Sequence, residues 1–408
     1  MAIQNNFPNI RPTLNLNFAL SKRVDPRITF VRSTTATYFD QDGILQTAAA
    51  NQGRITFDPA TLDCQGLLIE EQRTNNVLQS EDFATTWTAT GATVSINAAT
   101  APSGALTADK LVEDSSTGSH LVTQNITYSA VTYTASVFAK KAERDWIRVL
   151  FFDGTNTFSA FFNLNTGVVG TVSGAGASAA IQNVGNGWYR CLVTATTAAG
   201  AGTFAPRVAL ADNNSSYTGS TGSGIFIWGA QLEAGAFPTS YIPTTTTALT
   251  RNADVASMTG TNFSSWYNAT EGTFVTQTVG QNIASGATGV IAGVDDGTGS
   301  NRIIVAYSSP ISNLFRVVSS GSDQANFTVG AISSGAISKM ACVYKANDFA
   351  GTVNAQTVQT DTSGTVPLVN TFRIGVNVAA SASANVSISR IAYYPVRVTD
   401  AQLQALTG

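Results

Sequence analysis

His120 is the only imidazole in this 408-residue chain, and that scarcity limits the chemistry open to it. A Ser-His-Asp arrangement needs a base within hydrogen-bond reach of its nucleophile. His120, in Gly118-Ser119-His120-Leu121, is the sole candidate, and no Gly-x-Ser-x-Gly elbow stands near a strand-to-helix turn. A strand or surface histidine is the plainer reading. Paired carboxylates are the other route, because glycoside hydrolysis uses an acid together with a base or nucleophile. Glu70-Glu71, Glu113-Asp114 and Asp295-Asp296 are adjacent pairs, and neighbours on a strand point to opposite faces. Glu143 and Asp145 flank Arg144 and read as a charged turn. Glu70 and Glu71 are expected to pair with Arg54 or Arg73 for structure. These residue types argue for a protein that is not an enzyme.

Binding is the better match to the residues present. Sugar recognition asks for an aromatic platform plus amide or carboxylate groups for the hydroxyls. Trp188 and Trp228 sit in dense apolar strands and read as core. Trp87, Trp146 and Tyr217 lie nearer turns, with Asn156 and Asn213-Asn214 close by in sequence. From these we take Trp146, Asn156, Asn213, Asn214 and Tyr217 as candidate ligand contacts, each with a structural alternative. Asp212-Asn213-Asn214 and Asp295-Asp296-Gly297 offer the hard oxygen ligands that calcium takes. Neither has EF-hand spacing, and solvated turns are the simpler account of Asp212, Asp295 and Asp296. No other cofactor is indicated.

The elements that must position these groups are β-strands. Tyr133 to Ala139 alternates at period two, Trp146 to Phe152 runs into Asp153-Gly154, and Phe158–Leu164 meets Val168-Val169 across Asn165-Thr166-Gly167, a hairpin signal. Trp188–Val193 and Ile225–Trp228 add two more strands. Strands at this spacing, without long helical patterns between them, predict a jelly roll over 76–245. Residues 237–254 are rich in Pro and Thr and read as an extended connector, with the linker proper at 246–262. A second all-β segment follows at 263–408, with strands at Gly272–Thr276, Ile303–Tyr307, Leu314–Val318, Met340–Tyr344 and Phe372–Gly375. The last strand ends at Pro395, and Thr399 opens a short amphipathic helix with Leu403 and Leu406 on one side. Residues 1–75 hold short apolar runs with no long periodic face, and are expected to form an attachment arm.

Composition narrows the partners. Only 12% of residues are charged while 43% are hydrophobic, which is not a disorder signature. The formal net charge of −3 and the lack of a basic run argue against nucleic acid. No apolar run is long enough to span a bilayer, so no membrane insertion is expected. Cys64, Cys191 and Cys342 are odd in number and far apart, without a CxxC pair, and read as thiols rather than a disulfide framework or zinc site.

Several stretches resemble a known family. Asp25-Pro26-Arg27-Ile28-Thr29-Phe30-Val31-Arg32-Ser33-Thr34-Thr35-Ala36-Thr37-Tyr38 and Gly66-Leu67-Leu68-Ile69-Glu70-Glu71-Gln72-Arg73-Thr74-Asn75 are similar to the opening of tailed-phage and gene-transfer-agent surface proteins, described as fibre, spike or receptor-binding proteins. Gly229-Ala230-Gln231-Leu232-Glu233 with Tyr241-Ile242-Pro243-Thr244 resembles the last strand of their carbohydrate-binding-module-like jelly roll. Phe263-Ser264-Ser265-Trp266-Tyr267-Asn268, Gly272-Thr273-Phe274 and Tyr344-Lys345-Ala346-Asn347-Asp348-Phe349 resemble their concanavalin-like domain, and the closing strand and helix resemble the end of concanavalin/laminin-G-like sandwiches. The resemblance runs in order along nearly the whole chain. It implies an all-β protein of tandem jelly-roll β-sandwiches, carbohydrate-binding-module-like then concanavalin-like, preceded by an N-terminal arm. It further implies a virion surface protein, a head spike or tail fibre, that adheres to host-surface polysaccharide. Its arm would meet other virion proteins, and a homotrimer is expected. The start Met1–Pro8 lacks signal-peptide regions, so assembly in the host cytoplasm and release by lysis are expected. A ligand-free structural fibre component and a polysaccharide depolymerase are the competing readings.

Overall fold

The computed structural model describes residues 7–280, 288–309, 312–332 and 336–408; the start of the expected arm, before Phe7, lies outside the described residues. The chain is all-β. Helices among the described residues are short: Phe18–Ser21, Thr261–Ser264 and Asp400–Thr407. The last is the expected one. The Thr399 hydroxyl accepts from the Gln402 amide and the Gln402 side chain accepts from the Thr399 amide, a capping box that satisfies two end donors. Leu403 is buried with Val275, Ala341 and Tyr394, so the helix covers one outer face of a sheet.

Residues 76–245 form the predicted jelly roll from two six-stranded antiparallel sheets. One runs, edge to edge, Ser178–Asn183, Trp188–Thr196, Thr132–Lys141, Gly224–Ala234, Leu106–Glu113, Ala92–Thr100. The other runs Val168–Ser173, Thr157–Asn163, Trp146–Phe152, Gly200–Ala209, His120–Tyr128, Thr88–Thr90. Alternate residues of both sheets meet between them: Ile147, Val149 and Phe151 pack on the same core as Ala135, Val137, Cys191 and Val193. The hairpin across Asn165-Thr166-Gly167 is present, with Gly167 at φ 70°.

The second sandwich departs from the sequence reading in its boundaries. Its two sheets have eight and seven strands, and both recruit strands from the expected arm. The terminal strand Val386–Tyr394 pairs on one side with Glu271–Val279. On its other side it pairs with Cys64–Ile69 and, further along, with Leu14–Asn17. Thr29–Val31 joins the opposite sheet through Val255–Thr259. Leu14, Leu16, Phe18, Leu67 and Ile69 are buried in the same core as Phe274, Ile291 and Tyr393. The expected arm is therefore corrected: its apolar runs are covered within the chain, by strands from the opposite end of the sequence. The homotrimer loses the support that rested on uncovered runs. The expected linker is corrected too, because Leu249–Arg251 pairs with Arg73–Asn75 to make a two-stranded neck, and Val255–Thr259 is a sandwich strand. The jelly roll is thus an insertion into the second sandwich.

A buried ionic cluster holds this junction. Asp254 bridges Arg32 (Nη1 to Oδ1, 2.9 Å) and Arg54 (Nη2 to Oδ2, 2.5 Å), and accepts from the Glu70 amide at 2.9 Å. Arg54 Nη1 lies 2.8 Å from Glu70 Oε2, and Arg251 Nε is 3.7 Å from the same oxygen. Glu70 in turn accepts from the Ser240 amide and hydroxyl, both at 2.6 Å, tying the jelly roll's exit segment to the sandwich. As expected, Glu70 pairs with Arg54 and Glu71 with Arg73. The hairpin of Ala36–Phe39 and Leu45–Ala48 reinforces the joint, with Leu45 packed among Phe138, Trp188, Trp228 and Tyr241.

Two outcomes follow from this architecture. A chain cut at Thr250 removes the strand partner of Leu14–Asn17 and leaves Cys64–Ile69 paired only with Arg54–Phe57. Limited proteolysis of it should degrade residues 1–70 while the jelly roll survives. Burial alone would raise the Glu70 pKa, but Arg251, Arg54 and Ser240 together hold it at about 2 against an ordinary 4.5. The stabilisation from its ionised form is then complete above pH 4.5 and lost as pH falls toward 2. Glu70→Gln should flatten that limb of the Tm–pH profile. Asp254→Ala, which strips buried Arg32 of its carboxylate and leaves Arg54 only Glu70, should cost about 3–5 kcal/mol in urea unfolding.

Candidate functional site

The two sheets of the jelly roll have different neighbours on their outer faces. The face carrying Phe138, Trp188 and Trp228 is covered by the 36–48 hairpin and Tyr241. The face of the other sheet points away from the junction, and it holds Trp146. Period-two alternation along Trp146–Phe152 sends Ile147, Val149 and Phe151 inward, leaving Trp146, Arg148, Leu150 and Phe152 outside. On the neighbouring strand Gly200–Ala209, Phe204 and Val208 point into the core, so Ala205, Arg207 and Ala209 share the outer face. Register places Trp146 opposite Ala209, Arg148 opposite Arg207 and Leu150 opposite Ala205, on every second rung.

Trp146 is half-buried. Its ring lies over Gly170, where a Cβ would stand 2.8 Å from Trp146 Cζ3 and collide with the Asp212 carboxylate. Asp212 accepts from the Thr171 amide at 2.7 Å and hydroxyl at 3.0 Å. The loop after Ala209 is therefore drawn across the sheet beside the indole. Asn213 is exposed at its tip with φ 54°, and Asn214 closes its turn through an amide bond to the Ala211 carbonyl at 3.2 Å. Ser215 follows, and its hydroxyl accepts from Arg148 Nη1 at 3.2 Å. Arg148 also donates to Ser159 Oγ from Nε and Nη2, and its guanidinium sits 5.2 Å from the Phe161 ring centre. Beneath these groups, Leu121, Leu150 and Ala205 form a small apolar patch flanked by Phe152. The arrangement is a shallow face with Trp146 beside two guanidiniums and several hydroxyls, and with Phe152 and Phe161 flanking them, suited to binding.

The structure brings together Trp146, Asn213 and Asn214 but separates the other two candidates from them. Asn156 stands in the turn at the far end of the same strand, where its amide and side chain bond to Asp153. Tyr217 is buried: its hydroxyl donates to Glu113, its ring lies tilted with its centre 4.8 Å from that of His120, and Arg144 covers it at 5.7 Å. It is corrected from ligand contact to structural post. Arg148 and Arg207 were not among the sequence candidates. Alternation with Trp146 was a signal for Arg148, whereas Arg207 becomes its neighbour only through strand register.

The remaining chemical candidates have structural partners. His120 is fully buried, with Nδ1 2.5 Å from the Gly91 carbonyl and Nε2 3.2 Å from that of Tyr217. Glu113 takes Arg144, Tyr217 and the Ser220 amide. For calcium, Asp295 is ion-paired with Arg373 at 2.7 Å, Asp296 caps Thr298 and Asn301, and Asp212 holds Thr171. Among the described residues no three His, Cys, Asp or Glu side chains gather as metal ligands. Several cavities among the described residues lie elsewhere. One, of about 230 Å³ between the sandwiches, is walled by the ionic junction; another, of about 280 Å³ on the second sandwich, is rimmed by Arg302, Arg316 and Arg373.

No family model matches the chain, and no curated protein matches it. Among solved structures, the chain is similar to the CBM40 module of the Ruminococcus gnavus IT-sialidase bound to α2,3 sialyllactose. That match has 16% identity and a TM-score of 0.30, over 35% of this chain and 84% of that one. It is also similar to a heptameric SAP-like pentraxin from Limulus polyphemus, at 14% identity and a TM-score of 0.26, over 34% and 70% of the two chains. A third match is the Trypanosoma rangeli sialidase, at 10% identity and a TM-score of 0.30, over 74% of this chain and 60% of that one.

Proposed function

We propose that the protein is a glycan-binding protein of a phage-type particle surface, a spike or fibre that holds the particle to host polysaccharide. The observation that carries this reading is the outer jelly-roll face, where half-buried Trp146 adjoins guanidinium, hydroxyl and amide groups with no sheet of the described residues laid over it. An aromatic beside convergent polar groups suits the apolar face and hydroxyls of a sugar. The sequence resemblance to phage and gene-transfer-agent surface proteins supplies the setting. Binding is preferred to turnover because Glu70, Glu113 and Asp153 each serve buried structural partners: Asp153 accepts from the Thr155, Asn156 and Ala198 amides, which hold it at about 2 against its burial. A shallow site is weak by itself, and a homotrimeric assembly repeated over a particle would raise avidity.

The test is retention on purified capsule or lipopolysaccharide. Retention without new reducing ends is the expected result; release of reducing ends makes the protein a depolymerase. Trp146→Ala should lower adsorption about tenfold with Tm nearly unchanged, and Asn156→Ala should leave adsorption as it is. Tyr217→Phe should lower Tm, through loss of its bond to Glu113, without changing adsorption. Adsorption that survives Trp146→Ala moves the site to the second sandwich.

A further inference from the structure

Arg148 and Arg207 face each other across paired strands, and like charges directly opposite destabilise a sheet. Neither has a compensating acid among the described residues. Arg148 bonds to Ser159 and Ser215, and among the described residues Arg207 reaches only Ser119, at 3.5 Å. Arg207 Nε is buried with no hydrogen-bond partner among the described residues. The buried guanidiniums of Arg32 and Arg54 are matched with carboxylates, whereas that of Arg190, like this pair, is held by a hydroxyl and a carbonyl, but only here among the described residues do two such arginines stand directly opposite each other. Burial, and then the charge of Arg148, depress the Arg207 pKa to about 10, still well above neutrality. Both side chains therefore stay charged in a partly dehydrated setting. Register sets Arg207 opposite Leu121, and Arg148 two residues from Leu150, beside the apolar patch, but covering that patch needs methylenes, not two cations.

We infer that this pair recognises an anion, and that the glycan bound at the Trp146 face carries an acidic substituent, a carboxylate or a phosphate. The inference rests on the proposed glycan-binding role of this face. A guanidinium fork matches either group with paired N–H donors. An anion would also screen the repulsion between the two arginines. Trp146 stands two rungs from Arg148 on the same face, about 7 Å along the strand, so one sugar unit can meet both.

The experiment measures Tm and binding of the full chain with glucuronate, galacturonate, glucose 6-phosphate, the neutral hexoses and inorganic phosphate. Acidic sugars should stabilise the protein more than neutral ones, with the effect falling as salt rises. Arg207→Met keeps the stem and removes the like charge. It should abolish that difference while holding or raising Tm by about 2 °C. A drop of several degrees with acid selectivity intact makes the pair structural and overturns the inference. Equal response to acidic and neutral sugars also overturns it, yet leaves glycan binding standing. A response to inorganic phosphate as large as to any acidic sugar makes this a free-anion site and overturns the glycan ligand. No stabilisation by any of them, with Trp146→Ala adsorption unchanged, overturns both readings of this face.

Discussion

The architecture depends on charge buried where the chain crosses between its two sandwiches. Arg32, Arg54, Glu70, Arg251 and Asp254 are nearly inaccessible to water, and none could be buried alone without a cost of several kcal/mol. Each position is set by its partners. Asp254 can satisfy Arg32 and Arg54 only if residues 32, 54 and 254 converge, and Glu70 meets Ser240 only if the jelly roll exits beside the place where it enters. Such a cluster contributes less to net stability than an apolar core of its size, because desolvation offsets much of the attraction. It is strict about geometry, however, and one misplaced strand would leave a charge unpaired. The cluster therefore selects a single docking of hairpin, neck and insert.

That docking gives the jelly-roll sheets different work. The sheet built around Thr132–Lys141 and Gly224–Ala234 turns its outer face to the junction, where Arg190 donates to the Thr239 carbonyl at 2.7 Å and Glu233 accepts from the Thr239 amide and hydroxyl. Its polar groups serve cohesion. The opposite sheet is held by the shared core and by its own loops, so its outer face is free to present side chains. The Asp212 loop and the Arg148–Ser159–Ser215 contacts hold that face in shape, which would limit the ordering cost of the proposed binding.

Local chemistry was legible wherever it depended on sequence neighbours. The alternation of Trp146–Phe152, the Thr399 cap and the Asn165-Thr166-Gly167 turn are set by residues within a few positions of one another, and all three appear as expected. Pairings over long separations were not legible. Leu14–Asn17 is a single short strand near one end of the chain, and it pairs with Val386–Tyr394 near the other, so no window of sequence shows its cover. Tyr217 was misread because it sits near a turn, while the carboxylate that buries it, Glu113, comes from a strand on the far side of the jelly-roll sequence.

The sequence by itself determined the strand-rich class, the terminal helix, the roles of Trp188 and Trp228 as core, and the pairing of Glu70 and Glu71 with arginines. Propensity, alternation and charge complementarity act over short range and are written into the residues. Only the tertiary structure decided that the jelly roll is an insert, that the expected arm completes the second sandwich, and that Arg148 faces Arg207. Those outcomes depend on strand register. Backbone hydrogen bonds in a sheet are nearly indifferent to side-chain identity, so the choice of partner is made by the whole core and by the ions at the junction.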